Sequence, residues 1–401
     1  MTDRMAFGSG MCEGEGLSAP AARAADAAAE RLGPGSTTLA VVFASPDHCE
    51  DTDELLAPIH ERLRPDHLIG CMTETVLGGS REVEGGAAVA VWAARLPDAE
   101  VTPFRLVARP VEEGLGVMGW PDALDASPGW TVLLFADPFS FPADGLLARL
   151  NEVAQPAQVV GGMASGARRP GEHRLFAGRE ALTEGAVAVA LRGVPISLGV
   201  SQGCAPIGPE MVITAAEGSA VEELAGVPAV RKLEDVIAGF TDDERRLAEG
   251  GLLAGLVIDE NQPEYDHGSF LIRAIHGGDR ETGALLMGEQ VRVGQTMRLH
   301  ARDAASAGDD LRAVLRATRA GLGGGAAGGA LVFSCNGRGS HMFPVPDHDA
   351  AAVAQELAEA PVAGMFCNGE IGPVGGRNFL HGFTATMAVF PASVTVPDGS
   401  E

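Results

Sequence analysis

The stretch Leu39-Ala40-Val41-Val42-Phe43 decides the fold, because similar apolar runs return at 132–135 and 331–333. An apolar run of this length, bounded by turn-forming residues, predicts a buried β-strand. Each run is followed by a segment with apolar residues at helical spacing, then by a second short strand and a third strand. The sequence therefore predicts three copies of a strand–helix–strand–strand unit.

The first copy shows the pattern in most detail. Its helix is expected to begin near Asp51, with Glu54 completing a capping box, and to present apolar residues from Leu55 to Leu63. A strand ending at Cys71, a turn at 78–79 and a strand over 87–93 follow. The second copy repeats this order with a helix that carries Leu146, Leu147, Leu150 and Val153, and the third with a helix that carries Val353 and Leu357.

Two anchors relate the first copy to the second by the same offset. Phe135 follows Phe43 by 92 residues, and Gly162 follows Gly70 by 92 residues (135 − 43 and 162 − 70). Chance similarity among strand–helix–strand sequences is the alternative to genuine repetition.

Such units fix the fold class. A strand–helix–strand unit closes as a right-handed parallel crossover, and the next strand can return antiparallel. We therefore expect an α/β (mixed α+β) protein with two domains of mixed β-sheets flanked by helices. The predicted domains are 1–216 and 217–392, followed by a flexible tail at 393–401.

Composition excludes several classes of protein. A net charge of −25 from 29 basic and 54 acidic residues repels phosphate, so we expect no nucleic-acid partner. The longest apolar runs are far shorter than the roughly 20 residues of a spanning helix, and no secretory signal is visible, so we expect no membrane insertion and a cytoplasmic location. The six cysteines are widely spaced, which argues against a zinc ribbon or a disulfide scaffold.

No cofactor or metal motif is convincing. The glycines at 323–328 match the spacing of a dinucleotide-binding turn, but they precede a predicted strand where that turn must follow one, so a loop is favoured. We therefore expect neither a cofactor nor a metal.

Two segments carry the candidate chemistry. Residues 332–339 place Cys335, Asn336 and Arg338 just after a strand, and residues 364–373 place Cys367 and Glu370 after the next one. Strand carboxyl ends are where α/β proteins assemble binding sites. A guanidinium here could hold a carboxylate, and a carboxylate could hold an amine.

A purely structural role is the alternative interpretation of the same residues. The two cysteines could be small buried hydrophobic residues. Arg338 and Glu370 could form an ion pair with each other. His341 and His381 could be structural.

Several motifs, in order along the chain, resemble the FIST family with its FIST N and FIST C domains. The C-terminal ones lie at 213–218, 223–229, 270–273, 333–338 and 369–373, and the N-terminal ones at 69–73, 161–166 and 184–189. The first predicted domain resembles FIST N and the second FIST C.

The resemblance implies an intracellular sensory module that binds small ligands such as amino acids. We recognise no kinase, methyl-accepting or DNA-binding segment, so we expect a separate signalling protein as output partner. We expect a pocket between the two domains, and the candidate ligand-binding residues are Arg273, Cys335, Asn336, Arg338, Cys367, Asn368, Gly369, Glu370 and His381. The segment 380–384 departs from the family's His-Asn-x-Thr pattern, which weakens a role for His381.

Two other functions stay open beside this sensor. A cysteine enzyme would use Cys335 or Cys367 as nucleophile and His341 or His381 as base. A protein-recognition scaffold would use the acidic surface. Without a recognisable catalytic constellation, the sequence favours a protein that is not an enzyme.

Overall fold

The computed structural model of the chain describes residues 4–112, 114–153, 155–265, 267–323 and 325–393. These residues form two compact units. The first unit contains the described residues up to Val200, then Leu311–Leu380 and those from Thr384 onward, and the second contains Ser201–Asp310 and His381–Phe383. Of the tail predicted at 393–401, all but Ser393 lies outside the described residues.

Runs of strands interrupted by single helices or helix pairs make up the described chain. The strands of its first half are β1 Ala6–Glu13, β2 Leu39–Ala44, β3 His67–Met72, β4 Thr75–Gly78, β5 Arg81–Glu84, β6 Ala88–Arg95, β7 Glu100–Val111, β8 Gly114–Met118, β9 Thr131–Ala136, β10 Gln158–Met163, β11 Leu175–Ala177, β12 Glu180–Leu182, β13 Ala186–Arg192 and β14 Ser197–Gln202. The later strands are β15 Cys204–Glu217, β16 Ala220–Leu224, β17 Val227–Pro228, β18 Leu252–Val257, β19 Phe270–Gly278, β20 Leu285–Met287, β21 Thr296–Arg302, β22 Ala327–Cys335, β23 Val362–Cys367, β24 Glu370–Val374, β25 Arg377–His381 and β26 Thr384–Pro391. The α-helices are α1 Ser18–Leu32, α2 Thr52–Leu63, α3 Asp122–Ala126, α4 Ala143–Leu150, α5 Ala229–Ala238, α6 Asp242–Ala248, α7 Ala304–Ala320 and α8 His348–Glu356.

The predicted fold class, mixed α and β with helices flanking sheets, is confirmed. The predicted domain boundary at 216/217 falls near the end of β15, which is one continuous strand. The compact units and the predicted sequence segments are therefore different divisions of the chain, and the segment boundaries stay a prediction.

The first unit contains three sheets built on one plan. Their strand orders are β1-β6-β2-β3-β11-β12, β8-β7-β13-β9-β10-β24-β25 and β14-β26-β22-β23-β4-β5. In each sheet a helix connects two parallel central strands, which are β2 and β3, β9 and β10, or β22 and β23. An antiparallel strand, β6, β13 or β26, lies beside the first strand of each pair. The three predicted copies are thus three equivalent sheets.

The copies exchange hairpins in a cycle. Hairpin β4–β5 of the first copy pairs with β23 of the third, β11–β12 of the second pairs with β3 of the first, and β24–β25 of the third pairs with β10 of the second. Each sheet is therefore completed by another copy, which ties the three into one unit.

Equivalent residues of the copies meet in the core. The rings of Phe43, Phe135 and Phe333 lie 5.4, 6.2 and 5.7 Å apart, at the same register position in their strands. This confirms the offset of 92 between Phe43 and Phe135.

The second anchor is wrong by one residue. Gly70 pairs with Val42 and Gly161 pairs with Leu134, so Gly161, not Gly162, is the equivalent of Gly70. An added Cβ at Gly70, Gly161 or Gly364 would approach a carbonyl oxygen of the paired strand to 2.0–2.1 Å, so each copy needs glycine there.

Helix ends follow local sequence signals. The Asp51 side chain accepts hydrogen bonds from the backbone N–H groups of residues 53 and 54 and so caps α2. Gly33 ends α1 with a positive φ. The predicted helix of the second copy is shorter than expected, since α4 ends at Leu150 and leaves Val153 exposed outside it.

The second unit is built on a single antiparallel sheet, in the order β15-β21-β18-β19-β20-β16-β17. Because β15 also pairs with β16, the sheet closes on itself around a core that includes Met297 and Leu299. The strands β19 and β20 form an antiparallel pair. A reciprocal capping box between Thr241 and Glu244 begins α6.

Within the described residues, no helix combines the length and apolar character needed to cross a bilayer.

Candidate functional site

A small open cavity lies at the carboxyl ends of strands from all three copies of the first unit. It has a volume of about 240 Å³. The residues that line it are Pro46, Asp47, Glu74, Gly85, Gly86, Gly166, Ala167, Arg168 and Asn368. Pro46 and Asp47 follow β2, Glu74 follows β3, Gly166 to Arg168 follow β10, and Asn368 follows β23.

Below Glu74, a hydrogen-bonded group of buried residues from all three copies fixes the loops. The hydroxyls of Thr73 and Ser165 both donate to the backbone oxygen of Phe366, over 2.9 and 2.6 Å. The Ser165 hydroxyl also accepts from the backbone N–H of Glu74 at 2.9 Å. We call Thr73, Ser165 and the Phe366 carbonyl the floor group, because they hold three cavity loops at fixed distances from one another.

The cavity brings both signs of charge to one opening. Asp47, Glu74 and Arg168 are exposed, and the structure shows no ion pair for their side chains within its described ranges. The Asn368 side chain adds an amide donor and acceptor. Two carboxylates, one guanidinium and one amide around a small hollow can bind a polar molecule that carries an amine and a carboxylate.

Gly166 leaves the cavity open. It has a φ of +90°, and an added Cβ would lie 2.8 Å from Pro46 Cγ and 3.2 Å from the Glu74 nitrogen. A side chain here would both strain the backbone and intrude on the lining.

The two predicted strand-end loops lie together, as expected. β22 and β23 are adjacent and parallel, and the Asn336 N–H donates to the Cys367 oxygen at 3.0 Å. The Asn336 side-chain amide donates to Asn368 Oδ1 at 2.8 Å, and Asn368 donates in turn to the Ala164 oxygen at 3.1 Å. Of the predicted site residues, Asn368 lines the cavity directly and Asn336 supports it.

Arg338 is buried and paired with Asp349 in the described chain. Its guanidinium, 1% exposed, donates to both carboxylate oxygens of Asp349 over 2.6 and 2.9 Å. Asp349 also accepts hydrogen bonds from Ser334 and has His348 beside it at 2.9 Å. We call Ser334, Arg338, His348 and Asp349 the buried charge cluster.

The alternative ion pair between Arg338 and Glu370 is therefore wrong, since Arg338 is paired with Asp349. Burial opposes the ionisation of Asp349, but the guanidinium and the surrounding hydrogen bonds overcome it and hold its pKa well below the usual range. The pair is charged inside the protein and serves the fold.

Glu370 is fully buried at the start of β24. Its Oε2 accepts from the Thr384 N–H at 3.1 Å and from the Thr384 hydroxyl at 2.9 Å. Burial raises the pKa of this carboxyl, while Thr384, Arg338 and Cys335 favour the charged form and only partly offset it. The preceding Gly369 has a φ of +154°.

The two strand-end cysteines differ in exposure. Cys335 is half-buried and Cys367 is fully buried. Burial, with the nearby Glu370, raises the pKa of the Cys367 thiol well above its usual value. Cys367 is therefore a buried, protonated thiol at neutral pH, and its role in a site stays a prediction.

The remaining candidates lie elsewhere in the chain. Arg273 and His381 belong to the second unit, where the Arg273 guanidinium forms an ion pair with Glu289. His341 ends a short 3-10 turn and is exposed. A site shared by Arg273, His381 and the strand-end loops, and a catalytic role for either histidine, stay predictions.

Sequence reasoning missed Asp47, Glu74 and Arg168 as candidates. They lie in loops without a chemical motif, and ordinary charged residues in loops carry no signal of their own. The repeat supplies the signal that could have found Glu74 and Arg168, because they and Asn368 follow the second strand of their copies. Among the described residues, no group of three or more His, Cys, Asp or Glu side chains could hold a metal ion.

Comparison with known proteins places most of the chain in one family. A family model described as the FIST N domain matches residues 38–227, and one described as the FIST C domain matches residues 229–373. An uncharacterized protein of Mycobacterium tuberculosis is 42% identical over 386 residues, which cover 96% of this chain and all of the relative. An uncharacterized protein of Mycobacterium bovis is 40% identical over 389 residues, covering 96% of this chain and 99% of the relative.

Proposed function

Because the chain belongs to the FIST family, we propose that it is a sensory protein whose cavity binds a small zwitterionic metabolite such as an amino acid. FIST domains are generally associated with sensory signal transduction and small-ligand binding. The observation that carries the finer proposal is the placing of Asp47, Glu74 and Arg168 around one small opening.

Charge and size both support an amino acid. Arg168 can donate two parallel hydrogen bonds to a carboxylate, and Asp47 with Glu74 can accept from an ammonium group. Two acids against one base leave the lining with a net charge of −1, which favours an amino acid with a second amine, such as lysine, over an acidic one. The volume of about 240 Å³ lies below the roughly 300–1,000 Å³ of pockets for drug-sized ligands, so it suits a metabolite of a few heavy atoms.

The floor group supports specificity. Binding sites discriminate well when their polar groups are held by packing and by further hydrogen bonds. Glu74, Arg168 and Asn368 all follow strands whose ends the floor group joins. We propose that a separate protein, in the same cytoplasmic compartment, reads the bound state.

Calorimetric titration of the full chain tests the proposal. We expect lysine to bind, and cadaverine, which keeps both amines but lacks the carboxylate, to bind at least about tenfold more weakly, since a hydrogen bond to a charged group contributes roughly 1.5–3 kcal/mol. Arg168→Ala should remove this preference. Arg169→Ala is the matched control, because Arg169 is the exposed neighbour and does not line the cavity.

A second variant tests the position of the site. Gly166→Ala should weaken lysine binding strongly, because its Cβ would press against Pro46 and Glu74. Equal binding of lysine and cadaverine by the unsubstituted protein, or binding unaffected by both Arg168→Ala and Gly166→Ala, would refute the proposal.

A further inference from the structure

Cys335 and Cys367 end two neighbouring parallel strands side by side. The register of β22 and β23 pairs Phe333 with Met365 and Cys335 with Cys367. Paired residues of adjacent parallel strands point to the same face, and Phe333, Met365 and Cys367 all belong to the inner core. Neighbouring strands lie about 4.8 Å apart, which falls within the Cα separation of about 4.4–6.8 Å that disulfides span.

Cys335 and Cys367 differ in solvent exposure, and both have polar neighbours. Cys335 is half-buried, whereas Cys367 is 0% exposed, so a reagent from solvent reaches Cys335 first. The Cys335 sulfur accepts a hydrogen bond from the Gly337 N–H at 3.4 Å, and the Arg338 guanidinium interacts with it electrostatically. The Glu370 carboxyl interacts with both cysteines.

We propose that Cys335 and Cys367 form a reversible intramolecular disulfide when the protein meets a hydroperoxide. The Cys335 thiolate attacks the terminal peroxide oxygen, the O–O bond breaks, and the other oxygen leaves with a proton as an alcohol, or as water when the oxidant is hydrogen peroxide. The Cys367 sulfur then attacks the resulting sulfenic acid, the S–O bond breaks, and the hydroxyl leaves with the Cys367 proton as water. Two thiols thus supply the two electrons that reduce one peroxide.

The disulfide would act next to the proposed ligand cavity. Asn336 and Asn368 directly follow the two cysteines and hydrogen-bond to each other, and Asn368 lines the cavity. A covalent bond between the strands would fix the spacing of these two loops. This consequence for the ligand rests on the proposed function, whereas the disulfide itself does not.

Peptide mapping of the oxidised full chain tests the disulfide. The folded protein is treated with stoichiometric hydrogen peroxide, alkylated and digested with trypsin. The disulfide should join peptides 320–338 and 339–377, each of which contains one cysteine, and two of the six thiols should be lost per chain. Dithiothreitol should restore both.

Variants show which thiols are needed. Cys335→Ser and Cys367→Ser should each abolish the cross-link. Cys71→Ser should leave it intact, although the buried Cys71 sulfur contacts Met365 Sδ at 3.1 Å and belongs to the same core. Circular dichroism and melting curves establish that each variant is folded.

Three results would overturn the proposal. They are a cross-link that uses Cys71, over-oxidation of Cys335 while Cys367 remains a thiol, and no loss of thiols in the unsubstituted chain. Because the mapping uses no ligand, a protein that fails to bind lysine can still form the disulfide, and the two proposals fail separately.

Discussion

The buried charge cluster and the open cavity lie in the same unit at strand carboxyl ends, yet they use charge in opposite ways. In the cluster, Arg338 and Asp349 are both almost fully buried and satisfy each other through two hydrogen bonds. Around the cavity, Asp47, Glu74 and Arg168 face solvent and form no ion pair with one another in the described residues. The comparison teaches that one repeated framework can pair charges inside the protein in one copy and leave them open to solvent elsewhere.

The largest effect is expected from breaking the cluster. Asp349→Ala would leave the Arg338 guanidinium buried without its partner, and removal of one member of a buried ion pair costs about 3–5 kcal/mol of unfolding free energy. Urea denaturation of the full chain measures it. Arg168→Ala should change the unfolding free energy by no more than about 0.5 kcal/mol, as exposed substitutions do. Similar costs for both variants would remove the contrast between cluster and cavity.

A second, smaller effect depends on pH and concerns Glu82, which contacts the helix of the cluster. Its Oε1 accepts from the Ala350 N–H at 2.8 Å, and burial, together with the negative charge of Asp349, raises its pKa to about 8. Between the unfolded pKa of about 4.3 and this value, the native state holds a proton that the unfolded state has lost. Stability therefore falls as pH rises through this window, by up to about 1.4 kcal/mol per pH unit.

Glu82→Gln tests the pH effect. The glutamine cannot ionise, so the difference in unfolding free energy between variant and unsubstituted protein should change by about 2–3 kcal/mol between pH 5.5 and 7.5. Taking this difference at each pH cancels the titration of other groups. A difference that stays constant over the range would show that Glu82 titrates normally.

The sequence predicts the framework better than the site. Strands β2, β9 and β22 follow from apolar runs, and the α2 start follows from Asp51, because these signals are local. The exchange of hairpins cannot be predicted from such local signals. The pairing of β4 with β23, and of β24 with β10, depends on how the three copies pack against one another. The partner of Asp349 is equally unpredictable. An acid near the start of α8 is typical of a residue that complements the helix dipole. Nothing in the local sequence indicates that it pairs with the buried guanidinium of Arg338, 11 residues earlier.

The residue types that the sequence singled out after the strands are mostly not those that line the cavity, and their part in a binding site stays a prediction. A thiol and an arginine after a strand predict chemistry, but here Cys367 and Arg338 are buried and only Asn368 lines the cavity. Arg168 lies in a loop, where neither periodicity nor motif marks it. Tertiary structure decides which strand-end residues face solvent, and no pattern within one copy contains that information.

The floor group should contribute less to stability than the buried charge cluster or Glu82, and a variant in it separates stability from binding. Ser165→Ala removes the bond to the Phe366 oxygen and the acceptor of the Glu74 N–H, and should cost about 1 kcal/mol of unfolding free energy. Lysine affinity should fall several-fold, because Glu74 loses the bond that positions it. Ser127→Ala is the matched control, since Ser127 also donates to a backbone oxygen, that of Ala123 at 3.2 Å, and accepts a hydrogen bond, from Arg192 at 2.7 Å, among residues that do not line the cavity. Urea denaturation should give similar losses of unfolding free energy for the two serine variants. Calorimetry should show a loss of lysine affinity for Ser165→Ala alone. Equal lysine affinities of the two variants would mean that the floor group stabilises the fold without positioning the ligand.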